Sequence, residues 1–186
     1  MNLNKKHIDF ENRFQYLLGL TIQKVEYLEI KYDDKNSKPY YNSHFKEIDT
    51  IDFSIIFQTE KDKIEIYWDG EFYEYGIGIR INQKTEIATG QKWDVSKSEL
   101  WKKFIGQKIS DFKISWDEVI TIEQNSKKTN KFIYPQDLRI NFMNNKSIFI
   151  SAAGFIEIGD NVVMGRLDNL TVTDNELLAR QVKMID

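Results

Sequence analysis

Apolar and polar residues alternate with a period of two along three stretches of the chain. Ile51, Phe53, Ile55 and Phe57 are interleaved with Asp52, Ser54 and Gln58. Ile64, Ile66 and Trp68 alternate with Lys63, Glu65 and Tyr67, and Phe112, Ile114 and Trp116 with Asp111, Lys113, Ser115 and Asp117. This period puts one face of a strand in the core and the other in water. FSIIFQTEKDKIEIYW, Phe53 to Trp68, therefore reads as a β-hairpin with its turn over the polar residues Thr59 to Asp62. TIQKVEYLEIKY, Thr21 to Tyr32, is rich in β-branched and aromatic residues and predicts one long strand, and Leu170 and Val172 lie in another. The polar segments Asp33–Glu47 and Thr85–Val95 read as connections.

Three stretches carry helix signals. Phe10, Phe14, Leu17 and Leu18 fall at helical spacing ahead of Gly19, which predicts a helix over Asp9–Leu18 with glycine just past its end. Ser96-Lys97-Ser98-Glu99 has capping-box spacing ahead of Leu100, Trp101, Phe104, Ile105 and Gly106. Thr173-Asp174-Asn175-Glu176 repeats that spacing and predicts a short helix with Leu177, Leu178 and Val182.

These signals recur in the same order. LLGLTIQKV from Leu17 aligns with FIGQKISDF from Phe104, matching Gly19 to Gly106 and Ile22 to Ile109, 87 residues apart. Ile55 and Phe57 then match Ile140 and Phe142, and Ile64 and Ile66 match Ile148 and Ile150. IGIRI from Ile77 matches VMGRL from Val163, which sets Arg80 against Arg166. Collinear order with a small drift is what duplication followed by loop changes leaves. The prediction is one α+β domain over residues 1–186. Pseudo-repeats at about 9–90 and 96–182 each supply a helix–strand–hairpin unit to a mostly antiparallel sheet, with a few helices on one face. Either half alone would have a marginal core.

Composition narrows the function classes. At 186 residues, with 41% hydrophobic and 13% aromatic residues, the chain can bury a core. The formal net charge is −3, with Lys and Arg interleaved among Asp and Glu, which argues against a nucleic-acid ligand. The densest basic cluster, Lys127-Lys128 followed by Lys131, lies in a polar stretch. The absence of cysteine removes disulfide and thiolate chemistry and fits the cytoplasm. No secretion signal and no apolar run of membrane-spanning length stands in the sequence.

No catalytic, cofactor or metal motif emerges. His7 and His44 have no second ligand at helical or hairpin spacing and read as exposed polar residues. Gly76 and Gly78 in YGIGIRI lack the third glycine of a phosphate loop and suit a bulge or a strand crossing. The candidate surface is EIYWDGEFYEY, Glu65 to Tyr75. With Trp68 on the buried Ile64–Ile66 face, Glu65 and Tyr67 point to water. Glu65, Tyr67, Asp69, Glu71, Tyr73, Glu74 and Tyr75 would then mix carboxylates with rigid aromatics, as protein-binding hot spots do. Paired carboxylates also suit an enzyme or binding protein for a carbohydrate or other small ligand, and exposed aromatics suit a self-associating module that forms homodimers. A weaker patch joins Asp117, Glu118 and Glu123 beside Trp116.

YPQDLRINFMNNKSIFISAAGF, Tyr134 to Phe155, together with GRLDNLTVT, Gly165 to Thr173, resembles small bacterial immunity proteins of polymorphic toxin systems. The resemblance covers residues 104–173. It implies a cytosolic, non-enzymatic protein that occludes a cognate toxin; the carboxylates of the acidic–aromatic stretch suit a basic toxin domain as that partner, and no motif calls for a cofactor. It carries over no catalytic residue.

Overall fold

The computed structural model describes residues 2–32, 38–85, 87, 89–122 and 129–186. Its first helix, α1 (Lys5–Phe14), starts earlier than the apolar spacing predicts because Asn4 caps it. The Asn4 side chain accepts from the His7 N–H, and the His7 ring accepts from the Asn4 N–H. Histidine thus takes the glutamate's place in a capping box. Its Nε2 donates to the Ile133 carbonyl at 3.3 Å, and its ring packs on Phe72 and Trp116. His7 is therefore buried, contrary to the exposed role expected of it. A single 3₁₀ turn, Gln15–Leu17, leads to Gly19 at φ +81°.

Ten strands follow: β1 (Lys24–Ile30), β2 (Asp49–Ile51), β3 (Ser54–Gln58), β4 (Lys63–Asp69), β5 (Gly76–Ile81), β6 (Gly90–Asp94), β7 (Ile109–Ile122), β8 (Thr129–Phe142), β9 (Ser147–Gly154) and β10 (Met164–Thr173). The chain ends in α2 (Glu176–Gln181), capped by Asn175 rather than by Thr173, which completes β10. Among the described residues no helix is long and apolar enough to cross a membrane.

The class is α+β with antiparallel pairing throughout, but the strands form two sheets instead of one. Their orders are β5-β4-β3-β1-β6 and β2-β10-β9-β8-β7. One cluster of buried side chains spans both, and Ile55 and Ile66 of the first sheet and Ile140 and Ile150 of the second are all 0% exposed. Phe10, Phe14 and Leu17 join the same core. The alternation from Ile51 to Ile55 conceals a corner, and Phe53 packs with Leu28 and Ile56 rather than with Ile51 and Ile55. β2 pairs with β10 and β3 with β1, so the chain crosses between sheets at Asp52-Phe53. The polar connection after Thr85 also gains structure, since β6 pairs with β1.

Both halves lay down the same four-strand order, β1-β3-β4-β5 and β7-β8-β9-β10. They meet at the two glycine turns. Gly19 N–H donates to Ile109 O at 3.0 Å, and Gly106 N–H to Ile22 O at 2.7 Å. Ile109 N–H donates to Leu20 O at 2.9 Å, and Ile22 N–H to Gln107 O at 3.2 Å. These bonds come in reciprocal pairs about the isolated Thr21–Lys108 bridge. Each half thereby satisfies backbone groups that the other leaves open.

The second predicted helix does not form. Residues 96–106 make successive turns with bonds from Ser98 to Val95, Lys102 to Ser98 and Phe104 to Trp101. Ser96 turns its hydroxyl to the β1 backbone at Val25, and Ser98 caps the Trp101 N–H instead. Packing overrides the capping signal here. Trp101 and Phe104 are both fully buried, and Trp101 Nε1 donates to Tyr27 Oη at 2.5 Å. Gly106 keeps its predicted role at φ +76°.

Candidate functional site

The acidic–aromatic stretch does not gather on one surface. Alternation places Glu65 opposite Ile64 and Ile66, as the sequence implies, yet it is only 1% exposed. The outer face of the first sheet is covered here by the chain returning from β5. Thr85 Oγ1 and Ser54 Oγ each donate to the Glu65 carboxylate at 2.7 Å, with Lys63 Nζ at 3.7 Å. Ile87 closes the neighbouring apolar cluster of Leu28, Phe53 and Ile56. Tyr67 is half-buried under the Arg80 guanidinium, 3.7 Å from its ring, and donates to Asp69 Oδ2 at 3.1 Å. Burial and the Asp69 charge raise its phenol pKa.

The rest of the stretch packs against the chain itself. Phe72 fills the space between His7, Phe10 and Trp116. Tyr73 lies against Phe132 and Tyr134, and Tyr75 against Trp68. Glu71 forms a 2.6 Å ion pair with Arg13, and its carbonyl accepts from Lys6 Nζ at 2.7 Å. Glu74 is exposed. Gly76 and Gly78 serve close approach within a regular strand, without a bulge. A β-carbon at Gly78 would fall 2.7 Å from Asp69 Cβ and 2.8 Å from Tyr67 Cζ. In the weaker patch, Trp116 Nε1 donates to Glu11 and Glu118 pairs with Lys131. Glu123, Lys127 and Lys128 lie outside the described residues.

The structure assembles a different surface at the sheet-crossing corner. Asp52, the residue after β2, faces a hollow of about 610 Å³ between the Tyr40–His44 segment and the Phe155–Ile158 loop that follows β9. Its rim is apolar and open. Tyr32 is 71% exposed, Ile156 56% and Ile158 fully exposed. The ring of His44 lies tilted against Phe45 and edge-on to Phe155, 4.4 and 4.8 Å away. At the floor, Asp52 Oδ2 has no hydrogen-bond partner among the described residues. Burial raises the Asp52 carboxyl to about 6, and the Asp168 and Glu29 charges add to the rise. Glu157 adds a further carboxylate to the lining.

None of the hollow's residues is among those the sequence singles out as partner-binding. The only local signal is Phe155-Ile156-Glu157-Ile158, an apolar run that continues past the point where the pairing of β9 stops at Gly154. Comparison with protein-family models, with curated proteins and with solved structures finds no match for the chain.

Proposed function

We propose that the protein is a non-catalytic cytoplasmic binding protein, an immunity protein that neutralises a cognate toxin by covering its active surface, and that the corner hollow is the gripping site. The carrying observation is the exposed Ile156–Ile158 rim around a half-buried carboxylate, one of whose oxygens has no hydrogen-bond partner among the described residues. Exposed aliphatic and aromatic side chains supply contact area when desolvated. Asp52, Glu157 and Asp168 add a negative field that steers and orients a basic partner. The likeness of residues 134–155 and 165–173 to immunity proteins supports the same reading. Relocating the grip from Glu65–Tyr75 follows from the burial of Glu65 and the internal pairing of Glu71.

Co-expression with the toxin encoded beside its gene tests the proposal. Cells carrying the wild-type protein are expected to grow, and cells carrying Ile158→Asp to die although the variant accumulates folded. Death with the wild-type protein overturns the immunity role. Full protection by Ile156→Asp/Ile158→Asp overturns the placement of the surface.

A further inference from the structure

A second concave site lies away from the corner, where β8 carries one residue too many for its partner. Ser115 of β7 pairs with Asp137, but Trp116 pairs with Pro135, so Gln136 has no opposite residue. This bulge brings two consecutive polar side chains, Gln136 and Asp137, inward, each 9% exposed. Gln136 Nε2 donates to Ser151 Oγ at 2.9 Å and to Ala152 O at 2.8 Å. Ser151 Oγ in turn donates to Asp137 Oδ1 at 2.6 Å. The relay fixes both side chains and leaves two acceptors over. Gln136 Oε1 has no donor, and Asp137 takes part in no ion pair among the described residues.

Both side chains line a cleft of about 250 Å³ shared with Asp117, Tyr134, Arg166 and Asp186. Tyr134 donates its hydroxyl to Asp117 at 2.9 Å. Burial, with the Asp186 and Asp117 charges, lifts the Asp137 carboxyl to about 7. Arg166 acts on Tyr134 instead, and Lys183 lies at the rim. Gly165 packs closely on this side chain, and a β-carbon there would fall 2.9 Å from Gln136 Oε1. Beside it, Arg166 holds a left-handed backbone, φ +62°, at the break in β9–β10 pairing. Among the described residues no three His, Cys, Asp or Glu side chains stand close enough to hold a metal ion. A buried carboxylate outside any ion pair and a buried amide oxygen without a donor are each costly. Together, at the wall of an open cleft, they match a ligand that brings positive charge and N–H groups.

We propose that this cleft binds an organic cation with N–H donors, a guanidinium or primary ammonium group, with Asp137 as its counter-charge and Gln136 Oε1 as its second acceptor. The site is independent of the corner hollow. The cation belongs either to a free small molecule or to an Arg or Lys side chain.

Carbon-detected NMR of the Asp137 carboxyl, titrated with ethylguanidinium and with ethylammonium, reads the site directly. The expected result is a saturable shift with at least one cation and none with the neutral isostere N-ethylurea. Because the bound form needs an ionised Asp137, affinity should rise about tenfold between about pH 6 and about pH 8. Asp137→Asn, followed by backbone shifts around Ser151, should abolish binding. Exposed Asp117→Asn, which keeps an acceptor for Tyr134, should weaken it about threefold through the lost charge. A tripeptide amide with a central arginine separates the sources. Tighter binding than ethylguanidinium assigns the cation to a partner's side chain, and exclusion of the peptide assigns it to a free amine or guanidine. No saturable shift with either cation, an equal response to N-ethylurea, or undiminished affinity in the aspartate variants would overturn the proposal. No toxin enters the assay, so its outcome is separate from that of the growth test.

Discussion

Replacing Glu65 separates a structural carboxylate from a partner-binding one. Its two oxygens accept from Ser54 and Thr85 inside the first sheet, and the group is 1% exposed. Glu65→Ala leaves both hydroxyls without their acceptor, at about 1–3 kcal/mol for each unsatisfied group, and adds a cavity. The hydroxyls can partly turn to water or to other acceptors, while Thr85 Oγ1 still accepts from Lys63 Nζ at 3.0 Å. A net loss of about 3–4 kcal/mol is expected, a large part of the roughly 5–15 kcal/mol of a typical domain. Glu65→Gln keeps one acceptor and the shape, loses the charge, and should cost about 1–2 kcal/mol. Urea unfolding followed by tryptophan fluorescence measures both, with an unchanged m-value showing that the denatured state is not what moved. Toxin protection should stay intact in Glu65→Gln. If that variant unfolds at the wild-type urea midpoint yet loses protection, Glu65 touches the partner and the covered-face account is wrong.

Three further outcomes follow from the geometry. Burial lifts the Asp137 carboxyl from its ordinary 3.8 to about 7 in the folded state, so the folded state holds its proton more tightly than the unfolded one. That preference stabilises the fold below the unfolded pKa and is lost as pH rises through 7. The stability gained by Asp137→Asn should therefore grow from about pH 4 to about pH 7 and then level off, as denaturation at a series of pH values would show. Gly19→Ala and Gly106→Ala should each cost about 1–2 kcal/mol through the left-handed backbone alone, since a β-carbon meets nothing within 4 Å at either site; unfolding midpoints equal to wild type would contradict the turn geometry. Trp101→Phe removes the donor to Tyr27 Oη and should lose about 1–2 kcal/mol, read as a lower Tm, and a wild-type Tm would deny that bond any weight.

The period-two pattern exposed much of the fold, and residue spacing exposed less. Ile55, Ile66, Ile140 and Ile150 could be assigned to the core because each strand carries its own record of which face is buried. Gly19 and Gly106 marked equivalent turns because few other residues tolerate positive φ. The sheet-crossing corner left no trace, since Asp52 and Phe53 continue the alternation of the strands on either side. Glu65 was misread for a related reason. Periodicity reports which face a side chain is on, while the cover over that face comes from Thr85 and Ile87, some twenty residues further on. Ser96 showed a helix signal that the burial of Trp101 and Phe104 outweighs. Beyond the apolar run at Phe155–Ile158 the corner hollow could not be read, because Tyr40, Asp52 and Ile156 come together only after both sheets have formed.

The reciprocal bonds between the two glycine turns bear on what half of this protein would do. Exchanged in matched pairs about Thr21 and Lys108, they have the self-complementary form of an isologous contact between identical subunits. A polypeptide carrying a single helix-to-meander unit would display, at its glycine, the donors and acceptors that a second copy of itself presents in return. Severing the connection between the halves would then turn an intramolecular seam into a dimer interface, with assembly governed by concentration where it is now guaranteed by the chain.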